Sequence, residues 1–261
     1  MISRINCVFK IFLITGILFF VYAINNQAAF CFNDDAKALF YNANSAYQKG
    51  EYNEAIKGYE SILNQGLESG NIYYNVGNSY FKKGNLGKAI LNYERARRLM
   101  PRDGDLISNY KYALSLIKEP ELSGSEAWFV KLTNLFYKNF TVDEITVFCT
   151  FIFLIIVFVM ILNLFVKIKR WRFVSVISIL VITFGTSIIS ITQRVLIYEK
   201  EAIVISTETE ARFEPREDAT VHFTVFEGMK VYVIQTKGEW CKVVRPDKKA
   251  GWIAKSDLEK I

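Results

Sequence analysis

Histidine and cysteine, which supply most metal ligands and all disulfides, are scarce in this sequence. His222 is the single histidine, and there are four cysteines. Cys7 and Cys149 lie in apolar segments, Cys31 and Cys241 are far apart, and no pair has CxxC spacing. Since metal sites and disulfide frameworks need such spacings, we expect no metal and no disulfide framework.

Hydrolase motifs are also missing. The sequence has no GxSxG and no Cys/His pair outside the apolar segments. Carboxylates such as Glu208, Glu210, Glu214 and Glu217 are numerous, but charge runs on small β domains are usually solvated faces. We therefore expect no catalytic residues and no cofactor.

Charge is absent from residues 145–166 and again from residues 173–193. At 1.5 Å per residue each helix would span roughly 30 Å, the thickness of the hydrocarbon core of a bilayer. The short loop between them is basic, and such loops stay in the cytoplasm. The sequence predicts a transmembrane hairpin. The alternative, two core helices of a soluble protein, is disfavoured because neither stretch has a polar face.

The formal net charge of +6 is explained better by membrane topology than by nucleic-acid binding, because part of the positive excess lies in this loop and near the start of the chain.

Residues 1–29 have a positive start, an apolar run at 11–21 and small residues after it, which is typical of an export signal. Cleavage near Ala23 or near Ala29, or an uncleaved anchor, are the alternatives. The soluble parts are then periplasmic.

An internal repeat occupies residues 36–103. A step of 34 residues pairs small, aromatic and turn residues: Ala43 with Gly77, Tyr47 with Phe81, Gly50 with Gly84, Ala55 with Ala89, and Tyr59 with Tyr93. The pattern resembles the tetratricopeptide repeat, with Tyr73 replacing the usual tryptophan. Residues 105–118 begin a third copy and predict a capping helix, which gives a repeat domain at 36–118.

The resemblance implies a binding face on the first helix of each repeat. Aromatic rings and amides together suit an extended peptide, which needs apolar contact and backbone hydrogen bonds. The candidate peptide-binding residues are Phe40, Asn44, Tyr47, Asn71, Tyr74, Asn78 and Phe81. The alternative is a face used only for packing. A clamp for a terminal carboxylate is rejected, because Phe40, Asp105 and Asn109 stand where that subclass has cations.

Residues 119–125 are rich in turn formers and predict a linker. Apolar residues then recur at helical spacing over residues 126–140, together with Lys131 and Lys138. This pattern predicts an amphipathic helix on the outer membrane surface. Packing of the same helix against the repeats is the alternative.

Residues 200–261 contain short β-rich runs separated by turn residues: 202–206, 221–225, 230–235, 240–244 and 251–254. The segments around Trp240 and Trp252 are similar to bacterial SH3-like domains, which implies a small all-β barrel. The peptide-groove motif of eukaryotic SH3 domains is absent. Trp240 and Trp252 are candidates for a ligand cleft, or they cover the core of the barrel.

An export signal, repeats, a membrane hairpin and an SH3-like barrel, in this order, resemble BatE-like proteins of the bacterial aerotolerance (Bat) operon. The fold expected is therefore a multi-domain membrane protein with an all-α repeat array, a two-helix transmembrane hairpin and a small all-β barrel.

The expected function is a non-enzymatic scaffold at the outer face of the cytoplasmic membrane. The resemblance implies Bat proteins with von Willebrand factor A domains as partners. The main alternative is a protein that binds peptidoglycan, or assists a wall hydrolase, through its SH3-like domain.

Overall fold

The computed structural model describes residues 34–118, 137, 139–166 and 169–261. The export signal expected at residues 1–29 lies outside the described residues. So do the linker at 119–125 and nearly all of the amphipathic helix expected at 126–140.

Within residues 34–118 the chain forms five helices: α1 (Asp34–Gln48), α2 (Tyr52–Leu63), α3 (Gly70–Lys82), α4 (Leu86–Leu99) and α5 (Gly104–Ser115). Gly50 and Gly84 have φ values of +81° and +84°, so each turn uses a left-handed conformation that glycine adopts without strain. A Cβ on Gly77 would lie 2.7 Å from the ring of Tyr93. The small residues of the repeat therefore let paired helices approach closely.

The first helix pair ends differently from the second. The second copy has Pro101 shortly after α4, whereas the first has Leu67 at the matching place. There α2 ends at Leu63 with Asn64 as its C-cap, and the chain turns at Gly66, with φ of +77°. Helix α5 begins at a side-chain cap, because the carboxylate of Asp103 accepts a hydrogen bond from the backbone N–H of Leu106 at 2.8 Å.

Two long apolar helices follow: α6 (Val142–Phe165) and α7 (Arg170–Tyr198). Both are long and apolar enough to cross a membrane by length and composition. Helix α6 begins at a capping box, in which Thr141 and Glu144 exchange hydrogen bonds of 2.9 and 3.1 Å. The helices pack on each other through Phe153 and Phe184, whose ring centroids are 6.3 Å apart.

Seven strands form the C-terminal β domain: β1 (Glu201–Val204), β2 (Glu208–Arg212), β3 (Val221–Phe226), β4 (Lys230–Lys237), β5 (Trp240–Val244), β6 (Ala250–Ala254) and β7 (Leu258–Lys260). The sheet is antiparallel, with the order β3-β2-β6-β5-β4-β1-β7. The β-rich runs predicted from the sequence omit β2 and β7. Val225, Val231, Val243 and Ile253 are buried at the centre of the domain.

Strand β1 is buried on both faces because it serves two cores. Ala202 and Val204 belong to the core of the β domain, whereas Ile203 packs in the core of the repeats. Successive side chains of a strand point to opposite faces, so one strand can join two domains. The repeats and the β domain are therefore in direct contact through α4 and β1.

Two glycines make this contact close. A Cβ on Gly87, in the first turn of α4, would lie 2.6 Å from the carbonyl oxygen of Val204. A Cβ on Gly228, in the turn before β4, would lie 2.6 Å from Cδ1 of Ile90. Glu227 adds a polar contact, since its carboxylate accepts a hydrogen bond from the N–H of Gly87 at 2.8 Å.

Candidate functional site

Asparagine and tyrosine side chains form a repeated hydrogen-bonded arrangement across the first helices. In the first copy, the hydroxyl of Tyr59 donates to Oδ1 of Asn44 at 2.6 Å, and Nδ2 of Asn75 donates to the same oxygen at 3.3 Å. Asn44 lies on α1 and Asn75 on α3, while Tyr59 comes from α2. One tyrosine thus supports an amide pair that bridges two neighbouring helices.

The second copy repeats this geometry 34 residues later. The hydroxyl of Tyr93 donates to Oδ1 of Asn78 at 2.8 Å, and Nδ2 of Asn109 donates to that oxygen at 3.1 Å. Asn109 also donates to the hydroxyl of Tyr74 at 2.8 Å. We call the surface formed by Asn44, Asn75, Asn78 and Asn109 on α1, α3 and α5 the asparagine face.

The tyrosines are protonated at neutral pH, and burial moves their pKa further above it. Burial raises the pKa of Tyr59 to about 12, and burial likewise raises the pKa of Tyr93. Each hydroxyl therefore remains a hydrogen-bond donor at neutral pH. Each of these two hydroxyls donates to the amide oxygen of its asparagine.

The fixed amides leave a defined set of groups for a ligand. Oδ1 of Asn44 and Oδ1 of Asn78 each accept two hydrogen bonds, which fills the capacity of a carbonyl oxygen. Their Nδ2 groups point the remaining donors away from these bonds. An extended peptide offers backbone carbonyls that such donors can bind, so the chemistry suits a peptide main chain.

The other predicted site residues surround this face to different degrees. Phe40 packs edge-on against Tyr59 at 5.9 Å, Tyr74 lies 6.1 Å from Tyr93, and Phe81 lies 5.7 Å from Tyr112. Tyr47 instead packs against Tyr52 on α2, at 5.6 Å. Asn71 is exposed near the start of α3 and takes no part in the amide pairs described above.

The sequence analysis did not place Asn75, Asn109, Tyr59 and Tyr93 in the peptide-binding set. The signal was available, because Asn75 with Asn109 and Tyr59 with Tyr93 obey the same 34-residue step as Asn44 with Asn78.

The two tryptophans of the β domain lie on one face of strands β5 and β6. Trp240 pairs with Ala254, and Lys242 pairs with Trp252, so these side chains share one side of the sheet. Trp252 is only 8% exposed, and Nζ of Lys242 lies 5.9 Å from its ring centroid. Trp240 is half-buried and offers more of its ring to a ligand than Trp252 does.

A charged cluster lies between α4 and the β domain. The carboxylate of Glu94 is 1% exposed and lies 2.5 Å from Nζ of Lys230 and 2.7 Å from Nη2 of Arg97. Glu201 pairs with Arg98 at 2.9 Å and with Lys230 at 3.5 Å. Burial alone would raise the pKa of Glu94, but the adjacent cations outweigh it and lower the pKa to about 2. We call these residues the interface charge cluster.

A cleft of about 620 Å³ opens beside this cluster, between α2, α4 and β7. Two of its tyrosines have carboxylate partners, since Tyr80 donates to Glu60 at 2.9 Å and Tyr73 donates to Glu68 at 2.9 Å. Burial, followed by the bond to Glu68, raises the pKa of Tyr73 to about 12. In the described part of the chain, no three His, Cys, Asp or Glu side chains form a metal-sized group.

Comparisons with known proteins match part of the repeat array and most of the β domain. Residues 70–103 match the tetratricopeptide repeat model, and residues 206–260 match the bacterial SH3 domain model. No curated protein matches the chain. The chain therefore contains a tetratricopeptide repeat and a bacterial SH3 domain, as the sequence predicted. The resemblance to Bat-type proteins still rests on the order of the parts.

Proposed function

We propose that this protein is a non-enzymatic scaffold in the bacterial cytoplasmic membrane, and that its asparagine face binds an extended segment of another envelope protein. The observation that carries this proposal is the duplicated Asn–Tyr arrangement. In both copies a buried tyrosine fixes an asparagine so that its amide donor remains available. A fixed donor loses little entropy on binding, which favours recognition of a peptide backbone.

Anchoring by a membrane hairpin is supported by the surfaces of α6 and α7. Large apolar side chains on both helices are exposed, as at Phe158 with 62% exposure. Lipid would cover these apolar side chains, whereas in water they would form a very large exposed apolar patch. The repeats contact the outer ends of both helices: Arg102 pairs with Glu144 at 2.6 Å, and the guanidinium of Arg98 lies 4.0 Å from the ring centroid of Tyr198.

Partners follow from this placement. A scaffold beside the outer membrane surface meets other membrane or envelope proteins, and the order of the parts suggests Bat proteins with von Willebrand factor A domains. No reaction is required of it, because the proposed site supplies amide donors and aromatic rings and no nucleophile or acid–base pair.

The test is to change Asn44 and Asn78 to alanine together. We expect capture of crosslinked partners from membranes to weaken roughly tenfold, because each lost hydrogen bond contributes about 0.5–1.5 kcal/mol. The matched control changes Asn42 and Asn53, exposed asparagines on α1 and α2, and should capture the same partners as the native chain. Undiminished capture by a folded Asn44/Asn78 variant would exclude this face.

Wall binding through the β domain is the second candidate, and the match to the bacterial SH3 family favours it. Trp240 is the residue that a sugar or peptide of the wall would contact. Sedimentation of the protein with purified peptidoglycan, compared with a Trp240→Ala variant, tests this function. Analysis of the supernatant for released fragments tests for hydrolysis, which we do not expect.

A further inference from the structure

Two pairs of neighbouring residues connect the asparagine face with the interface charge cluster. On α4, Tyr93 donates to Asn78 of the face, and the next residue, Glu94, binds Lys230 of the β domain. On α5, Asn109 belongs to the face, and the next residue, Tyr110, donates its hydroxyl to Glu94. On each helix, a residue that belongs or binds to the asparagine face is thus followed directly by a residue that belongs or binds to the interface charge cluster.

Glu94 joins these pairs at a single atom. Its Oε1 atom receives both the hydroxyl of Tyr110 and the ammonium of Lys230, while its Oε2 atom receives Arg97. The carboxylate is almost completely buried, so water cannot replace a lost partner without opening the interface. Because Lys230 and Tyr110 bind the same Oε1 atom of Glu94, the position of Lys230 affects the hydrogen bond of Tyr110.

Helix α5 relies on few such contacts. Within the described residues it is the last helix of the array and packs on α4, with Leu106 and Ala113 buried. Its polar attachments to the other repeat helices are Asn109, bound to Asn78 and Tyr74, and Tyr110, bound to Glu94. These adjacent residues set how α5 is oriented about its axis.

We propose that Lys230 of the β domain is a positioning residue for the asparagine face. By holding Glu94 it fixes Tyr110, and Tyr110 orients α5 so that Asn109 meets Asn78. The docked β domain thereby pre-organises the second half of the face, whereas Glu60, the first-half equivalent of Glu94, receives Tyr80 of α3 but pairs with no cation of the β domain among the described residues. The consequence for partner binding rests on the proposed function, but the positioning itself does not.

The experiment measures hydrogen exchange of the full chain in lipid nanodiscs. Lys230→Met should speed exchange of α5 about tenfold or more, because a buried carboxylate loses its partner. Exchange of α1 and α2 should stay at the native rate. Lys230→Arg should restore protection of α5, and Lys242→Met, a cation removed elsewhere on the β domain, should leave it unchanged.

Two outcomes would overturn the inference. One is native exchange of α5 in the Lys230→Met protein. The other is equal acceleration in all repeat helices, which would make Lys230 a general stabiliser. If that variant does not fold, Tyr110→Phe decides, with Tyr112→Phe as its control. Faster exchange confined to α5 in the Tyr110 variant supports the inference, and native exchange refutes it.

Partner capture separates this inference from the proposed function. If Lys230→Met loosens α5 and leaves capture unchanged, positioning holds and the face is not the partner site. If α5 keeps native exchange while the Asn44/Asn78 variant loses capture, the face is the partner site and Lys230 does not position it.

Discussion

Glu94 illustrates how one residue can connect two domains. A buried carboxylate is unfavourable unless cations and hydrogen bonds compensate for its lost hydration. Here Arg97 comes from the same helix, whereas Lys230 comes from the β domain. Compensation is therefore complete only when the two domains are docked, which makes this carboxylate a determinant of how they fit together.

Stability should depend on pH through this residue. The pKa of Glu94 is about 2 in the folded protein, against an ordinary value of 4.5. As pH falls through that window, the unfolded chain takes up a proton before the folded one, so the free energy of unfolding decreases from about pH 5 toward pH 2. Melting temperatures across this range should show a smaller acid-induced loss for Glu94→Gln. Glu54→Gln, at an exposed ion pair, should behave like the native chain.

Helix α4 is the central element because nearly every side of it is covered. Ala89, Tyr93 and Ala96 face the repeats, and residues of the β domain cover the side that carries Glu94. A second helix of a repeat usually presents one face to solvent. In this chain the β domain occupies that place, so α4 is packed like a core helix.

The close approach at the start of α4 gives a prediction. Gly87→Ala places a methyl group 2.6 Å from the carbonyl oxygen of Val204, a backbone atom that cannot move aside easily. We expect a loss of about 1–3 kcal/mol in the free energy of unfolding, despite the better helix propensity of alanine. Gly104→Ala is the matched control, because Gly104 begins α5 with nothing within 4 Å of the added Cβ. It should be neutral or stabilising in the same thermal unfolding assay.

The sequence predicted elements well where the signal is local. The 34-residue step located the repeats and the uncharged stretches located α6 and α7. Strand β2 was missed because its sequence, from Glu208 to Arg212, is mostly charged and polar. Contacts between the domains were out of reach, since nothing local relates Glu94 to Lys230. The apolar run from Ala202 to Ile205 is typical of a strand buried on both faces, but it does not identify what covers the second face.

At the scale of the whole molecule, the repeats and the β domain are joined by direct packing. In the structure Ile203 lies in the core of the repeats, and Arg95 pairs with Glu259 of β7 at 3.2 Å. The two domains therefore present their candidate surfaces at a fixed relative orientation.

The proposed topology can be tested with reporter fusions. Alkaline phosphatase fused after residue 118 or after Ile261 should be active, because both sites lie on the periplasmic side of the proposed hairpin. A fusion after residue 168 should be inactive. Neutralising Lys167, Lys169, Arg170 and Arg172 should scramble the orientation. Activity of the fusion after residue 168 in the native sequence would refute this topology.

The two interface glycines, Gly87 and Gly228, also limit which domains can be combined by genetic recombination. Gly87 belongs to the repeats and Gly228 to the β domain, and each leaves room for a group of the other domain. A β domain transplanted from another protein would bring a different surface to Gly87, and would need its own small residue opposite Ile90. Recombination that exchanges one domain alone should therefore yield poorly folded chains. The repeats and the β domain would therefore have to be exchanged together, as a single unit.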